Sequence, residues 1–197
     1  MGALAKDNRT PLHSACSWGR VEIAGLLLDH GAKADAKTDS GETPLHTAAN
    51  SKYGSQEDGI HVAKLLLARG VDTNIRDNDE RTLLRVASSY RKLEIVRLLL
   101  DHGANADAMD AVGQTPLHQT SYASEEAGVD VAMLLLDCCG DVNAQTKKQA
   151  TPLHFTSSDL RAWLGLKAYV SARHSGAQGP VILKTEPAPE AFSVLGS

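Results

Sequence analysis

One tetrapeptide sets the terms for this chain's fold. Thr-Pro-Leu-His stands at Thr10–His13, Thr43–His46, Thr115–His118 and Thr151–His154, with an altered copy at Thr82-Leu83-Leu84-Arg85. Successive threonines lie 33, 39, 33 and 36 residues apart, a basal period of 33 with extras of six and three. A leucine triplet keeps step with it, at Leu26–Leu28, Leu65–Leu67, Leu98–Leu100 and Leu134–Leu136. Self-similarity at this period means stacked supersecondary units, each unable to bury its apolar face alone.

Each part of the period has a local cause. Thr before Pro starts a helix: the hydroxyl can cap free N–H groups, and Pro at the first helical position lacks an N–H that would otherwise go unpaired. Small residues such as Ser14-Ala15-Cys16 then let a short helix approach its neighbours closely. A second helix follows with Val21, Ile23, Leu26 and Leu27 at helical spacing. Gly31, Gly70 and Gly103 sit where that helix should end in a left-handed residue. His30 and His102 precede two of them, a place suited to a partly cationic side chain.

These residues resemble the ankyrin repeat, over about residues 6–158. The resemblance implies an all-α solenoid of helix–turn–helix units joined by short hairpin loops. We expect the array to span residues 1–174, with four clear units, a first unit that lacks its preceding hairpin arm, and a degenerate capping unit from about 146. The reduced first arm implies either a makeshift cap at Met1–Lys6 or membership of something longer. Asp159–Arg173 reads as a helix through Leu160, Trp163, Leu164 and Tyr169. The Pro-, Gly- and Ala-rich stretch 175–197 is expected to be disordered.

Departures from the pattern carry their own expectations. The extra residues fall between the two helices of a unit, near Lys52–Glu57 and Ser124–Glu126, where loops accept insertions. Arg85 replaces the signature His and must snorkel outward or find an acidic neighbour. The family's turn Gly, kept at Gly41 and Gly113, becomes Asn8, Glu80 and Gln149. Glu and Gln tolerate the left-handed region poorly, so two hairpin tips are expected to be irregular.

Composition narrows the function classes. A net charge of −4 argues against nucleic acid and anionic membrane surfaces. Cys16, Cys138 and Cys139 have no framework spacing and suit a reducing interior. No apolar run approaches the roughly 18 residues a membrane span needs, and the first residues are too short and polar for a signal peptide. A monomeric cytoplasmic protein is expected, with the nucleus as the second compartment. The signature histidines sit a repeat apart, too far for one metal, and no nucleophile, phosphate-loop or zinc motif occurs. We therefore expect no cofactor, no metal and no catalysis.

Binding is easier to place. In the ankyrin family, partners contact the hairpin tips and the exposed face of each unit's first helix. Position by position, the resemblance assigns to the tips Asp39, Ser40 and Glu42; Asn78, Asp79 and Arg81; Ala111, Val112 and Gln114; and Lys147 and Lys148. To the helix face it assigns Ser17 and Trp18; Asn50 and Ser51; Ser89 and Tyr90; and Tyr122 and Ala123, with Tyr53 in the nearby insertion. Four of the chain's eight aromatics fall there, and Trp and Tyr dominate binding hot spots. The competing reading is that each ring leans on its neighbouring unit.

Charge is uneven as well. Leu98–Thr146 holds eight acids and no Lys or Arg, whereas Arg76–Arg97 holds six basic residues against four acidic. A solvated helix back explains such a run; the sharper alternative is a bipolar groove taking a partner's basic segment over the fourth unit. Asn143, and less closely Asn74, resemble sites of asparaginyl hydroxylation in ankyrin repeats, though the ordinary turn Asn is the favoured reading. Leu183-Lys184-Thr185-Glu186 resembles a sumoylation site. The expected function is a non-enzymatic scaffold or adaptor holding a protein partner. The alternatives are the recognition part of a larger enzyme or ubiquitin-ligase assembly, and a remnant without a partner.

Overall fold

The computed structural model describes residues 7–50, 55–120, 126–138 and 140–155. Its helices alternate short and long: α1 (Pro11–Ser17), α2 (Val21–Asp29), α3 (Pro44–Ala49), α4 (Gln56–Ala68), α5 (Leu83–Ser89), α6 (Leu93–Asp101), α7 (Pro116–Thr120) and α8 (Glu126–Asp137). A single 3₁₀ turn, Pro152–Phe155, opens the fifth unit. Within each unit the two helices pack together. Between units, α1, α3, α5, α7 and the 3₁₀ turn form an inner row, and α2, α4, α6 and α8 an outer row. The expected all-α ankyrin solenoid is what the chain forms. The helix expected over Asp159–Arg173 and the stretch 175–197 lie outside the described residues.

The core is one strip between the rows. The signature leucines Leu12, Leu45, Leu84 and Leu117 are buried, as are the middle leucines Leu66, Leu99 and Leu135. Alanines fill the close approaches, with Ala24, Ala63, Ala87 and Ala132 fully buried. Such a core needs few aromatic rings, which accounts for their scarcity.

The signature threonines work as the sequence suggests. Thr10 Oγ1 accepts the His13 N–H, and Thr82 Oγ1 accepts the Arg85 N–H, each at 3.4 Å. His30 and His102 cap the outer helices α2 and α6: their Nδ1–H groups donate to the Leu26 and Leu98 carbonyls at 2.8 Å.

Two expectations need correction. The extra residues do not simply lengthen loops. The outer helices α4 and α8 have 13 and 12 residues where α2 and α6 have nine, so much of each insertion becomes added helix at the N-terminal end. Ser55 makes this possible in α4: its hydroxyl accepts the Asp58 N–H at 3.0 Å while the Asp58 carboxylate accepts the Ser55 N–H at 3.2 Å.

Nor are the tips at Glu80 and Gln149 irregular. Both residues take the left-handed conformation (φ 59° and 60°), as Asn8 does at 58°. The Glu80 tip closes through Asp77 N–H to Arg81 O (3.0 Å) and Glu80 N–H to Asp77 O (3.1 Å), the same pair that Gly41 makes with Thr38 and Glu42. Local strain of ~1–2 kcal/mol is tolerated because the closing hydrogen bonds fix the turn.

At Gly41 a side chain cannot be accommodated. Its φ is +80°, and a Cβ would lie 2.7 Å from the Asn78 nitrogen of the next tip. Gly41→Ala should cost about 1–2 kcal/mol from left-handed strain alone, with the clash against Asn78 in addition. Glu80→Gly exchanges relief of similar strain for greater unfolded-chain entropy and should stay within about 0.5 kcal/mol of wild type. Urea unfolding of both variants checks the contrast.

Candidate partner-binding face

The signature histidine joins one unit to the next. His13 Nδ1 accepts the Thr10 N–H at 3.1 Å, and its Nε2 lies 3.1 Å from the Glu42 carbonyl in the following arm. A carbonyl can only accept, so the proton sits on Nε2. His118 repeats this with Thr115 (3.1 Å) and the Ala150 carbonyl (3.2 Å). Burial lowers the pKa of both rings, partly offset by those carbonyl bonds, which favour the charged form. His46 keeps the Nδ1 half of the arrangement, but its buried Nε2 has no hydrogen-bond partner. Burial pushes its pKa down to about 4, against a small opposing pull from Asp77.

Arg85, in the histidine's place, solves the problem differently. Its Nε lies 2.8 Å from Asp110 Oδ2, an ion pair whose N–H is not well aligned, and its Nη2 donates to Gln114 Oε1 at 3.3 Å. The side chains of Arg85 and Asp110 are 14% and 4% exposed, so the acidic neighbour is found inside the interface between units. Asp110 Oδ1 also accepts the Val112 and Gln114 N–H groups at 3.0 and 2.8 Å, tying the next tip to the pair.

The tips themselves form a row sewn together by backbone. Asp39 N–H donates to Asp7 O (3.0 Å), Asn78 N–H to Ser40 O (3.1 Å), Ala111 N–H to Asp79 O (3.4 Å) and Lys147 N–H to Val112 O (3.1 Å). Asp7 and Asn8 occupy regular tip positions, so the first unit does possess the end of its hairpin arm. The side chains of Asp39, Ser40, Asn78 and Asp79 remain exposed along the row. Several are tethered: Asn8 donates to the Asp39 carboxylate, Asn78 Nδ2 to Asp39 O at 2.7 Å, and the Ser40 hydroxyl pairs with Thr38.

Glu42, Arg81 and Gln114 are less available than their positions suggest. Glu42 is half-buried, and its backbone serves Thr38 and His13. Arg81 is held by Asp77 at 2.7 Å and Asp79 at 3.0 Å. Gln114 accepts from Gln119 at 2.7 Å as well as from Arg85. On the helix face, Trp18 and Tyr90 both stand at the residue ending an inner helix, 49% and 51% exposed. Ser17 and Asn50 beside this face are half-buried, and Ser89 is exposed. Ser51, Tyr53, Tyr122 and Ala123 lie outside the described residues.

Position reading understated one feature. The fourth tip is apolar, with Val112 56% and Met109 44% exposed. Meanwhile six of the eight acids expected to charge a groove over the fourth unit lie elsewhere. Asp101, Asp130 and Asp137 belong to outer helices, Asp107 and Asp141 to the segment after them, and Asp110 is consumed by Arg85. On the basic side, Arg76, Arg81 and Arg85 are spent on carbonyls and carboxylates within the chain. The exposed acids on the tip row are Asp7 of the first tip, Asp39 of the second, and Asp79 and Glu80 of the third.

No other chemistry gathers here. Among the described residues no group of three or more His, Cys, Asp or Glu side chains could hold a metal. Burial drives the Cys16 thiol up to about 12, which suppresses thiolate reactivity. Among the described residues, too, no helix is long and apolar enough to cross a membrane. Asn143 is exposed, with its N–H donated to Asp141 Oδ1 at 2.8 Å, the ordinary turn bond; Lys184 lies outside the described residues.

A solenoid of paired helices whose hairpin tips and inner helix ends form one exposed face defines a repeat-type interaction module. The chain belongs to the ankyrin repeat family: the family model "Ankyrin repeats (3 copies)" matches residues 1–58 and 53–146. It is 30% identical over 115 residues to human Rabankyrin-5, covering 58% of this chain and 9% of that protein. It is 36% identical over 102 residues to a putative ankyrin repeat protein of Rickettsia bellii, covering 52% and 29%, and 33% identical over 112 residues to human Ankyrin repeat and KH domain-containing protein 1, covering 56% and 4%. The chain therefore spans less than a third of the length of each of these relatives. Ankyrin repeats bind protein partners.

Two outcomes follow from the histidine and arginine geometry. A histidine whose folded pKa is depressed binds its proton more readily when unfolded, so stability falls as pH drops below about 6.5. For His46 the loss continues down to about 4. At pH 5 its share is about 2 kcal/mol at 1.36 kcal/mol per pKa unit, readable as a lower thermal midpoint that His46→Gln makes less pH-dependent. Arg85→Ala strands Asp110 between units and should cost about 3 kcal/mol, the usual penalty for breaking a buried pair, whereas Arg85→Ala/Asp110→Ala should recover part of it in a double-mutant cycle.

Proposed function

We propose that this chain is a non-enzymatic scaffold or adaptor module that seats a protein partner across its hairpin tips and inner helix ends. One observation carries the reading. In a chain with only six Trp and Tyr residues, Trp18 and Tyr90 recur at the same position of two units and are half exposed. Large rings held in that state cost apolar surface to water, and on a rigid helix end they lose little entropy when covered. With one inner helix, α3, packed between α1 and α5 at about 8–10 Å per step, the two rings stand roughly two steps of the stack apart.

The partner is proposed to carry a basic segment, placed against Asp39, Asp79 and Glu80 rather than over the fourth unit, with an apolar side chain near Val112. Asp39 and Asp79 are individually tethered, so their contribution is to the field along the edge more than to a directed contact. The array is proposed to act as a monomer in the cytoplasm or nucleus, with its boundary at about residue 174. A second reading draws on the relatives: each is far longer than this chain, and one is named for a KH domain as well as its repeats. On that reading the array is the recognition part of a larger assembly, including one with enzymatic or ubiquitin-ligase activity.

A pull-down comparing wild type with Trp18→Ala/Tyr90→Ala tests the central claim. The double variant should lose a bound protein that wild type retains, with its melting temperature within a few degrees of wild type. A large fall in melting temperature with the same partners bound would assign the rings to packing between units. Binding of that protein should also weaken as salt rises, since the exposed acids act through a screened field.

A further inference from the structure

A ladder of side chains runs along the hairpin arms and stops at one residue. Six residues before successive signature threonines stand Lys37, Arg76, Met109 and Gln145. Lys37 Nζ donates to the Arg76 carbonyl at 2.9 Å, and an Arg76 guanidinium N–H donates to the Met109 carbonyl. Each of these long cations ties its own arm to the equivalent residue of the next. The Met109 thioether has no hydrogen to donate, so it makes no such tie to the fifth arm. It stands 44% exposed instead, three residues before Val112, which is 56% exposed. Where the ladder gives up a bond, the array presents apolar surface.

The charges on the two sides of this patch have opposite signs. On the third tip Asp79 and Glu80 are exposed, and the Asp79 carbonyl accepts the Ala111 N–H of the fourth. Arg81 holds Asp79 at 3.0 Å, which leaves Glu80 as the uncompensated charge there. On the fifth tip Lys147 and Lys148 are exposed, and the Lys147 N–H donates to the Val112 carbonyl at 3.1 Å. Among the described residues neither lysine pairs with a carboxylate. Asp110, on the fourth tip itself, is committed to Arg85 at 2.8 Å. From the third tip to the fifth the row therefore runs acidic, apolar, basic.

We propose that Met109 and Val112 seat an apolar side chain of an extended partner segment that carries carboxylates on its Lys147 and Lys148 side and cations on its Glu80 side. The inference rests on the partner-binding reading above and gives the partner an order of charges that the reading lacks. Steps of about 8–10 Å between units match roughly three residues of extended chain at about 3.3 Å each. The three features should thus recur at about that spacing in the segment. An apolar contact with charges at its rim lets the charges set register more than affinity.

Amide chemical-shift titration of the full chain with three synthetic peptides tests this. Each places a leucine between two charged pairs, with serines setting the three-residue spacing. One peptide has lysines on one flank and glutamates on the other, one has lysines on both, and one has glutamates on both. The mixed peptide should move the Val112, Lys147 and Lys148 amides and bind about fivefold more tightly than either of the others, the worth of two exposed ion pairs. Lys147→Glu/Lys148→Glu should make the all-lysine peptide the tightest. Met109→Arg should weaken the mixed peptide while the thermal midpoint stays at or above wild type, since Arg76 shows that an arginine at this position reaches the next carbonyl. No binding of the mixed peptide, equal binding of the all-lysine one, or unchanged affinity in Met109→Arg would overturn the proposal. A protein lost by Trp18→Ala/Tyr90→Ala but kept by Lys147→Glu/Lys148→Glu would also overturn it, while leaving the adaptor reading intact.

Discussion

The structure depends on a single imidazole used at both nitrogens. In the first and fourth units the signature histidine takes an N–H from its own threonine and gives one to a carbonyl of the next arm. One side chain thereby fixes the start of an inner helix and the distance to the next unit. It does so only while neutral, because the Nδ1 lone pair must stay free to accept. Burial enforces that state, which links the geometry of the joint to pH.

Where the imidazole arrangement is incomplete, the molecule compensates within the same joint. His46 has lost its forward partner, and the second and third tips are bound instead by Asn78 through both its backbone and its side chain, with Lys37 reaching the Arg76 carbonyl at 2.9 Å. Arg85 has no imidazole to offer and spans the same gap with a longer, charged reach to Asp110. A charge enclosed there needs its counter-charge more than a neutral ring needs a second hydrogen bond. Nearest-neighbour joints of unequal make are compatible with a solenoid, since each is settled locally.

The period made the fold legible. Threonine, proline and leucine at fixed offsets give helix starts, core positions and stacking order without any long-range information. What stayed hidden depended on contacts across units. Nothing in the local sequence says that Glu80 will accept a left-handed turn, because the hydrogen bonds that hold it there come from the tip as a whole. Nor could charge counting show that Asp110 is spent on Arg85, 25 residues away in sequence, or that Asp101, Asp130 and Asp137 lie on outer helices. Of the candidate site, the exposed placement of Trp18 and Tyr90 at the ends of inner helices follows from their position in the repeat. The tethering of Arg81 and Gln114 does not, because both are claimed by partners that the positional rule does not consider.

The sewn tips have one more consequence. At equivalent points of the row stand Asp39, Asn78, Ala111 and Lys147, an acid, an amide, a methyl group and a base, yet each donates the same backbone N–H to the tip before it. That backbone bond is common to all four points, and the side chain adds to it only at Asp39 and Asn78. Substitutions at Ala111 and Lys147 can therefore accumulate with little toll on folding, and a lineage of such arrays can exchange one partner for another there while its architecture stands still.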